Sequence, residues 1–294
     1  MDVFISHSSA NKGVAQRIER ALETGGLDVW LDDSEIRVGV LLADELQQSI
    51  RNARVVLLLW SSHAAASRWV ASEWLMAIHT GRSIVPFAID PTPLPQCMEH
   101  STHLRVKRVT ESVLERVARA VREVPDGPMQ LTPLMEGQGP DLYAAIGRIA
   151  TGQQAINDMI SERKLAEVRK RQAKLDGVVA DALKRWPLDP QLVNLAAYQL
   201  KNAYMIEFWD AVQAGRGPRD PLLDQSERRF LETLSIDPTD PSALNGLGSI
   251  LIFQRDLDAA EFFILAAIAE AKRRGWDYPD AEHDLALVHR YKRA

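Results

Sequence analysis

Residues 1–124 alternate between continuously apolar segments and segments with apolar residues every three or four positions. The run Val55–Leu59 is apolar throughout, as in a parallel strand that is buried on both faces. An earlier segment instead places Val14, Ile18 and Leu22 on one helix face. In chain order we expect strand Val3–Ser6, helix Ala10–Thr24, strand Leu27–Leu31, helix Leu41–Arg51, strand Ala53–Ser61, helix Ser67–Thr80, strand Ser83–Ile89, strand Leu104–Val109 and helix Glu111–Glu123. This alternation predicts an α/β domain with a parallel sheet and helices on both faces.

The pattern changes after residues 125–140, a segment rich in proline and glycine. Such a composition is typical of a linker. Beyond it, alanine, leucine, arginine and glutamate dominate, and the apolar spacing is helical. We therefore predict a first domain at residues 1–124, a linker at 125–140 and an all-helical domain at 141–294.

A repeat-like pattern begins at Pro241 in the helical half. Apolar residues follow at helical spacing, and the small residues Gly248 and Ala260 stand where two helices would touch. The pattern resembles a tetratricopeptide repeat, a helix–turn–helix unit of about 34 residues. A similar segment opens at Asp189-Pro190, with its turn stretched by Gly215-Arg216-Gly217-Pro218. A plain helical bundle remains the alternative.

Candidate chemistry lies on the helix that follows the third strand. Trp69 and Glu73 are four positions apart, so the indole and the carboxylate share one helix face. A carboxylate beside an aromatic surface at the end of a sheet suits cleavage of a glycosidic bond to a flat, cationic base. Two other interpretations stay open. The helix dipole alone favours an acid near a helix start, and a tryptophan at this spacing often fills a core.

Composition excludes several classes of protein. The chain has 294 residues, a net charge of −5 and one cysteine, which argues against nucleic-acid binding, a disulfide framework and a cysteine zinc site. No apolar run approaches the roughly 18 residues of a membrane span. The N-terminus begins with a strand-like segment rather than a signal peptide. We therefore expect a cytoplasmic protein with no membrane, nucleic-acid or metal partner.

Three motifs, in order, resemble a bacterial Toll/interleukin-1 receptor (TIR) domain. They are Asp2–Ser9, Gly26–Asp32, and Ser67-Arg68-Trp69 with Glu73. The resemblance covers residues 1–124 and implies a flavodoxin-like parallel sheet of five strands in the order 2-1-3-4-5. In such sheets ligands bind beyond the carboxyl ends of the strands, where the winding reverses between strands one and three.

The resemblance also implies a reaction and a set of site residues. Many TIR domains cleave NAD⁺ at the nicotinamide–ribose bond, and Glu73 corresponds to the catalytic glutamate of the family. NAD⁺ would be the substrate, with no other cofactor, and Trp69 would stack on one of its bases. Residues expected to border the substrate are Ser6, His7, Ser8, Asp32, Asp33 and Ser67. Asn11 stands where many members carry aspartate.

The implied function is an NAD⁺ glycohydrolase or cyclase that is activated when TIR domains self-associate, in bacterial anti-phage defence or signalling. The helical repeats would bind a protein or peptide. The aromatic residues expected either to line that surface or to fill helix–helix cores are Tyr198, Tyr204, Phe208 and Trp209. A non-catalytic adaptor is the alternative, and a ribosyl- or deoxyribosyltransferase is a third possibility. The residues do not distinguish hydrolysis from cyclisation.

Overall fold

The computed structural model describes residues 1–31, 42–99, 101, 103–106, 108–131, 140–161 and 165–293. The chain divides into two compact units, Met1–Pro133 and Leu134–Ala294. Each unit has a hydrophobic core of its own. The division falls within the segment that the sequence marks as a linker.

The N-terminal unit contains a five-stranded parallel sheet in the order β2-β1-β3-β4-β5, which confirms the predicted strand order. The strands are β1 Val3–Ser6, β2 Val29–Leu31, β3 Val55–Trp60, β4 Ser83–Ala88 and β5 Leu104–Arg105. The helices are α1 Lys12–Thr24, α2 Leu42–Asn52, α3 Ser62–Ala65, α4 Arg68–His79 and α5 Glu111–Glu123. The order turns back at β1, which pairs with both β2 and β3.

The central strand β3 explains why the sheet needs helices on both faces. All six of its residues are buried, so each face must be covered by apolar side chains. On one face Leu57 packs in the same cluster as Ile18 of α1 and Val117 of α5. On the other face α4 contacts β1, β3 and β4. The sheet thus holds the carboxyl ends of β1 and β3 beside the start of α4.

Some local elements differ from the sequence prediction. The short helix α3 was not predicted, because four residues are too few to show a helical period. Its start is set by Ser61, whose side chain accepts a hydrogen bond from the Ala64 amide. The strand β5 is also shorter than predicted. The predicted polar loop Asp32–Gly39 lies outside the described residues.

The C-terminal unit is helical in its described residues. Its helices are α6 Pro140–Ser161, α7 Leu165–Arg185, α8 Pro190–Glu207, α9 Trp209–Gln213, α10 Pro221–Ile236, α11 Pro241–Gln254, α12 Leu257–Arg273 and α13 Pro279–Lys292. Proline opens α8, α10 and α11, each time after an aspartate that caps the helix. Among the described helices, none combines the length and apolarity needed to cross a membrane.

Helices α11 and α12 meet closely at the small residues that the repeat pattern singles out. A Cβ atom added to Gly248 would lie 2.5 Å from the Ile264 side chain and 3.3 Å from the Ala260 carbonyl oxygen. A Cβ atom on Gly246 would lie 2.2 Å from the ring of Phe230 in α10. Glycine is therefore required here by helix packing. The tetratricopeptide assignment itself remains a prediction.

The aromatic residues of α8 pack inside the helical unit. Tyr204 is fully buried and contacts the rings of Phe208 and Phe253 at centroid distances of 5.2 and 5.7 Å. Tyr198 meets Phe230 edge-on at 5.0 Å. Of the two roles expected for these aromatic residues, the contacts favour helix–helix cores over a peptide-binding surface.

Candidate active site

A buried hydroxyl–carboxylate pair joins the end of β1 to α4. The Ser6 hydroxyl donates a hydrogen bond of 2.5 Å to Glu73 Oε2, and both residues are 0% exposed. This distance is typical of a charge-assisted bond to a carboxylate. The two residues are 67 positions apart in the chain. Because a buried carboxylate needs hydrogen-bonding partners, the contact both stabilises the acid and orients it.

The start of α4 explains why Glu73 faces the sheet. Ser67 caps the helix, since its side chain accepts a hydrogen bond from the Val70 amide at 3.3 Å. With the first turn set, Val70, Glu73 and Trp74 fall on the buried face. Trp69 lies one turn before Glu73 and is half-buried. The apolar neighbours of Glu73 on this helix lower the local polarity around its carboxylate.

The residues after Ser6 continue the buried polar segment at the end of β1. His7 is 5% exposed and Ser8 is 6% exposed. Ser8 has a structural role, because its side chain accepts a hydrogen bond from the Ala10 amide and caps the short 3₁₀ turn Ser9–Asn11. That turn leads directly into α1.

A second polar contact joins the loops after β1 and β3, where the winding of the sheet reverses. The Ser61 hydroxyl donates a 2.6 Å hydrogen bond to Asn11 Oδ1. Ser61 thereby ties the two loops together while it also caps α3. Sequence reasoning treated Asn11 only as a substitution for aspartate and did not pair it with Ser61. The available signal was that both residues lie in the polar segments that follow the two strands.

The loop after β4 is held by a carboxylate that sequence reasoning also missed. Asp90 accepts hydrogen bonds from the backbone amides of Ser62 and Thr92 at 2.8 and 2.9 Å. Desolvation raises the pKa of Asp90, but these hydrogen bonds outweigh it and lower the pKa to about 2. The adjoining Trp60 indole donates to the Pro93 carbonyl at 2.8 Å. These contacts fix the rim of the sheet beyond β3 and β4.

The expected site residues therefore fall into three groups. Ser6 and Glu73 are in direct contact, and His7 and Ser8 continue from Ser6. Ser67 and Trp69 lie at the start of the helix that carries Glu73. The remaining expected residues, Asp32 and Asp33, lie outside the described part of the chain. A fixed carboxylate in such a low-polarity setting is suited to stabilising a positive charge that develops beside it.

Comparison with known proteins identifies the family of this unit. A family model described as "TIR domain" matches residues 3–120. Residues 3–120 are a TIR domain. The buried Ser6–Glu73 pair and the reversal point of the sheet both lie inside this match.

Two individual proteins illustrate the similarity. The chain is 29% identical over 73 residues to the 2′ cyclic ADP-D-ribose synthase BtTIR of Bacteroides thetaiotaomicron. That match covers 24% of this chain and 25% of the relative, so the chain spans about a quarter of the curated relative it matches. A crystal structure of the TIR domain of the Toll-related receptor TRR-2 from Hydra magnipapillata is 18% identical, with a TM-score of 0.36. The structural match covers 42% of this chain and 98% of the Hydra domain.

Proposed function

We propose that the TIR domain of this protein cleaves NAD⁺ at the nicotinamide–ribose bond, with Glu73 as the catalytic residue. The observation that carries the proposal is the Ser6–Glu73 hydrogen bond, which fixes a buried acid at the carboxyl end of β1. This is the edge of a parallel sheet at which ligands bind. The family match and the name of the bacterial relative support the same reaction class.

The chemistry requires little from the protein beyond one well-placed negative charge. When the glycosidic bond breaks, its electron pair moves to the pyridinium nitrogen, so nicotinamide leaves as a neutral molecule without an acid. The ribose carbon becomes oxocarbenium-like. The Glu73 carboxylate stabilises this positive charge, because preorganised charge is most effective in a site that excludes water. Water then completes hydrolysis and releases a proton, or an internal nucleophile closes a cyclic ADP-ribose.

Ser6 and Trp69 have supporting roles in this proposal. Ser6 holds one oxygen of the carboxylate, so the acid is oriented before the substrate arrives. Trp69 is half-buried one turn away and offers an aromatic face to the cationic base. Such a contact contributes about 0.5–2 kcal/mol. Self-association of TIR domains as the activating step, and a role in anti-phage defence, belong to the same proposal and rest on the family resemblance.

A non-catalytic adaptor is the second candidate, and one observation favours it. Glu73 is 0% exposed, whereas a catalytic carboxylate must reach its substrate. In an adaptor the Ser6–Glu73 pair would serve only to join α4 to the sheet. The two candidates make opposite predictions for nicotinamide release by the isolated protein and for the effect of Glu73→Gln on that release.

The test is nicotinamide release from NAD⁺ by the concentrated full-length protein, followed by chromatography of both products. Glu73→Gln keeps the size and the hydrogen-bonding capacity of the side chain but removes its charge. Glu23→Gln, on the exposed end of α1, is the matched control. The enzyme is supported if release occurs in the parent and in Glu23→Gln but is lost in Glu73→Gln. No release by the parent under crowding or forced dimerisation favours the adaptor.

A further inference from the structure

A cavity of about 290 Å³ lies within the helical unit. Helix α8 contributes Lys201 and Met205, α11 contributes Ile252 and Phe253, and α13 contributes Leu287. Its volume is near the lower end of the range found for small-molecule sites. Polar and apolar side chains both line it, and small-molecule sites combine apolar walls with placed polar groups.

The stretched turn that interrupts the repeat pattern forms one wall of this cavity. Gly215 adopts a left-handed backbone conformation, with φ of 66°, and its carbonyl accepts a hydrogen bond from the Arg255 guanidinium. A Cβ atom on Gly217 would lie 2.3 Å from the Tyr204 hydroxyl oxygen, so only glycine allows this approach. A helix–turn–helix repeat does not need these extra residues, yet they are packed closely against the cavity lining.

Positive charge is concentrated in the cavity although the whole chain carries a net charge of −5. Lys201, Arg255 and Arg290 all line it. The guanidinium groups of Arg255 and Arg290 both lie over the ring of Tyr291, at 4.4 and 5.5 Å from its centroid. Three like charges that line one cavity repel each other, and an anion bound among them would relieve that repulsion.

Lys201 supplies donors that the described protein does not use. Its ammonium lies 4.6 Å from the centroid of the Tyr198 ring, and no described carboxylate or carbonyl accepts a hydrogen bond from it. Asp284 also lines the cavity, but its carboxylate is already engaged by the Ser249 hydroxyl at 2.6 Å and the Asn245 amide at 3.2 Å. Burial lowers the pKa of Lys201, against the opposing charges of Asp284 and Asp280. A half-buried ammonium in this setting gains from an anionic partner.

Arg255 is held at a backbone position that normally selects glycine. Within the described residues it is the one non-glycine residue with a positive φ, 66°, at the end of α11. Helices that end in this way usually carry glycine there, because a side chain is strained. Strain of this kind is often retained at ligand sites. Arg255 occupies this strained position and contributes a guanidinium to the cavity.

We propose that this cavity binds a small organic anion, a phosphate- or carboxylate-bearing molecule with an apolar body. Lys201, Arg255 and Arg290 receive the charged group, and Met205, Ile252 and Phe253 contact the apolar part. The site is independent of the NAD⁺ reaction proposed for the TIR domain, and its test needs no catalytic activity.

The test measures binding of three probes to the full-length protein by ligand-observed NMR and calorimetry. Phenyl phosphate carries a phosphate group and benzoate a carboxylate group, each on a phenyl ring. Phenol is the neutral control. Probes this small are expected to bind with Kd near about 1 mM. We expect either or both anions to bind at least about tenfold more tightly than phenol, because charge-assisted bonds are the strong ones. The tighter of the two identifies the preferred group.

Variants assign that binding to the cavity. Lys201→Met removes the charge but keeps the length of the side chain, and is expected to weaken anion binding about tenfold. Lys184→Met is the matched control, on an exposed lysine of α7. Arg255→Gly removes the guanidinium while placing glycine where the backbone favours it, so it serves if Lys201→Met does not fold. The proposal is overturned if the folded variants bind the anions as tightly as the parent does. It is also overturned if the parent binds the anions no more tightly than phenol, or does not bind them at all.

Discussion

The two polar sites of this protein differ in how their charged groups are held. In the TIR domain, Glu73 and its donor Ser6 are both fully buried, and the acid is oriented by a contact inside the unit. In the helical cavity, Arg255 and Arg290 are exposed, and the Lys201 ammonium has no hydrogen-bond acceptor among the described groups. A preoriented acid suits reaction with a developing cation. Three cations around one cavity, one of them without a described acceptor, suit reversible binding of an anion.

The same contrast appears in the backbone. The polar residues near Glu73 lie at strand ends and helix caps, and several also have structural roles, as Ser8, Ser61 and Ser67 do. The cavity instead depends on glycine turns and on a strained helix end at Arg255. Substitution near Glu73 therefore risks the fold as well as the chemistry. Substitution of the exposed cavity cations Arg255 and Arg290 is expected to change mainly the binding of the proposed anion.

The largest expected effect separates the two sites by substitution of Glu73. Glu73→Gln should reduce nicotinamide release by about 10²–10³-fold, the usual effect of removing a group that stabilises charge in the transition state. Phenyl phosphate affinity should not change in this variant, because the cavity lies in the other unit. Lys201→Met should instead weaken phenyl phosphate binding and leave nicotinamide release unchanged. Parallel assays of release and binding on both variants measure this, and loss of both properties in either variant would contradict the separation.

The next effect concerns the packing of α11 against α10. Gly246→Ala should lower the free energy of unfolding by about 1–3 kcal/mol, because the added methyl collides with Phe230. Gly177→Ala is the control, since a Cβ atom there meets nothing within 4 Å on an exposed face of α7. It should raise stability by about 0.5–1 kcal/mol. Urea titrations followed by circular dichroism measure both, and equal shifts would show that α11 is not closely packed.

A smaller effect is expected when the Ser6 hydroxyl, which donates a hydrogen bond to Glu73, is removed. Ser6→Ala should reduce kcat for nicotinamide release by about 10- to 150-fold, as loss of a hydrogen bond to a charged group costs about 1.5–3 kcal/mol. KM should change little, because Ser6 acts through Glu73 rather than on the substrate. Ser8→Ala is the comparison, since Ser8 caps a turn nearby. Steady-state kinetics distinguish them, and an equal fall in kcat for Ser8→Ala would remove the special role of Ser6.

The smallest effect concerns stability at acid pH. The pKa of Asp90 is lowered from 3.8 to about 2 in the folded protein, so its contribution is present above pH 3.8 and is lost as the pH falls toward 2. Asp90→Asn should therefore be less stable than the parent at neutral pH, by under about 1 kcal/mol, because solvent screens a partly exposed carboxylate. The difference should disappear near pH 2. Thermal melts across this pH range measure it, and a constant difference would show that Asp90 does not titrate as described.

Much of the fold could be predicted from local pattern. The apolar run of β3 and the helical spacing of α1 and α5 depend only on which residues lie next to one another in the chain. The short elements α3 and β5 were missed or overextended, because a few residues carry too little periodicity. Glu73 was found through its motif, but the bond from Ser6 was not predicted.

The cavity had no comparable signal in the sequence. Lys201, Arg255 and Arg290 are spread over three separate segments, and each alone reads as an ordinary surface charge. The stretched turn Gly215–Pro218 was visible, but its packing against Tyr204 and Arg255 was not. Such a site forms only when the helices pack together with these side chains turned toward the same space.

The amino-acid pattern alone established the alternating strands and helices, the change to helices after the linker and, through family motifs, the identity of Glu73 as the candidate acid. Packing in three dimensions set the partners: Ser6 on Glu73, Ser61 on Asn11, and the three cations around one cavity. The physical reason is that hydrophobic periodicity is a local property of the chain. Contacts between distant residues depend instead on strand register and on how side chains interlock where helices cross.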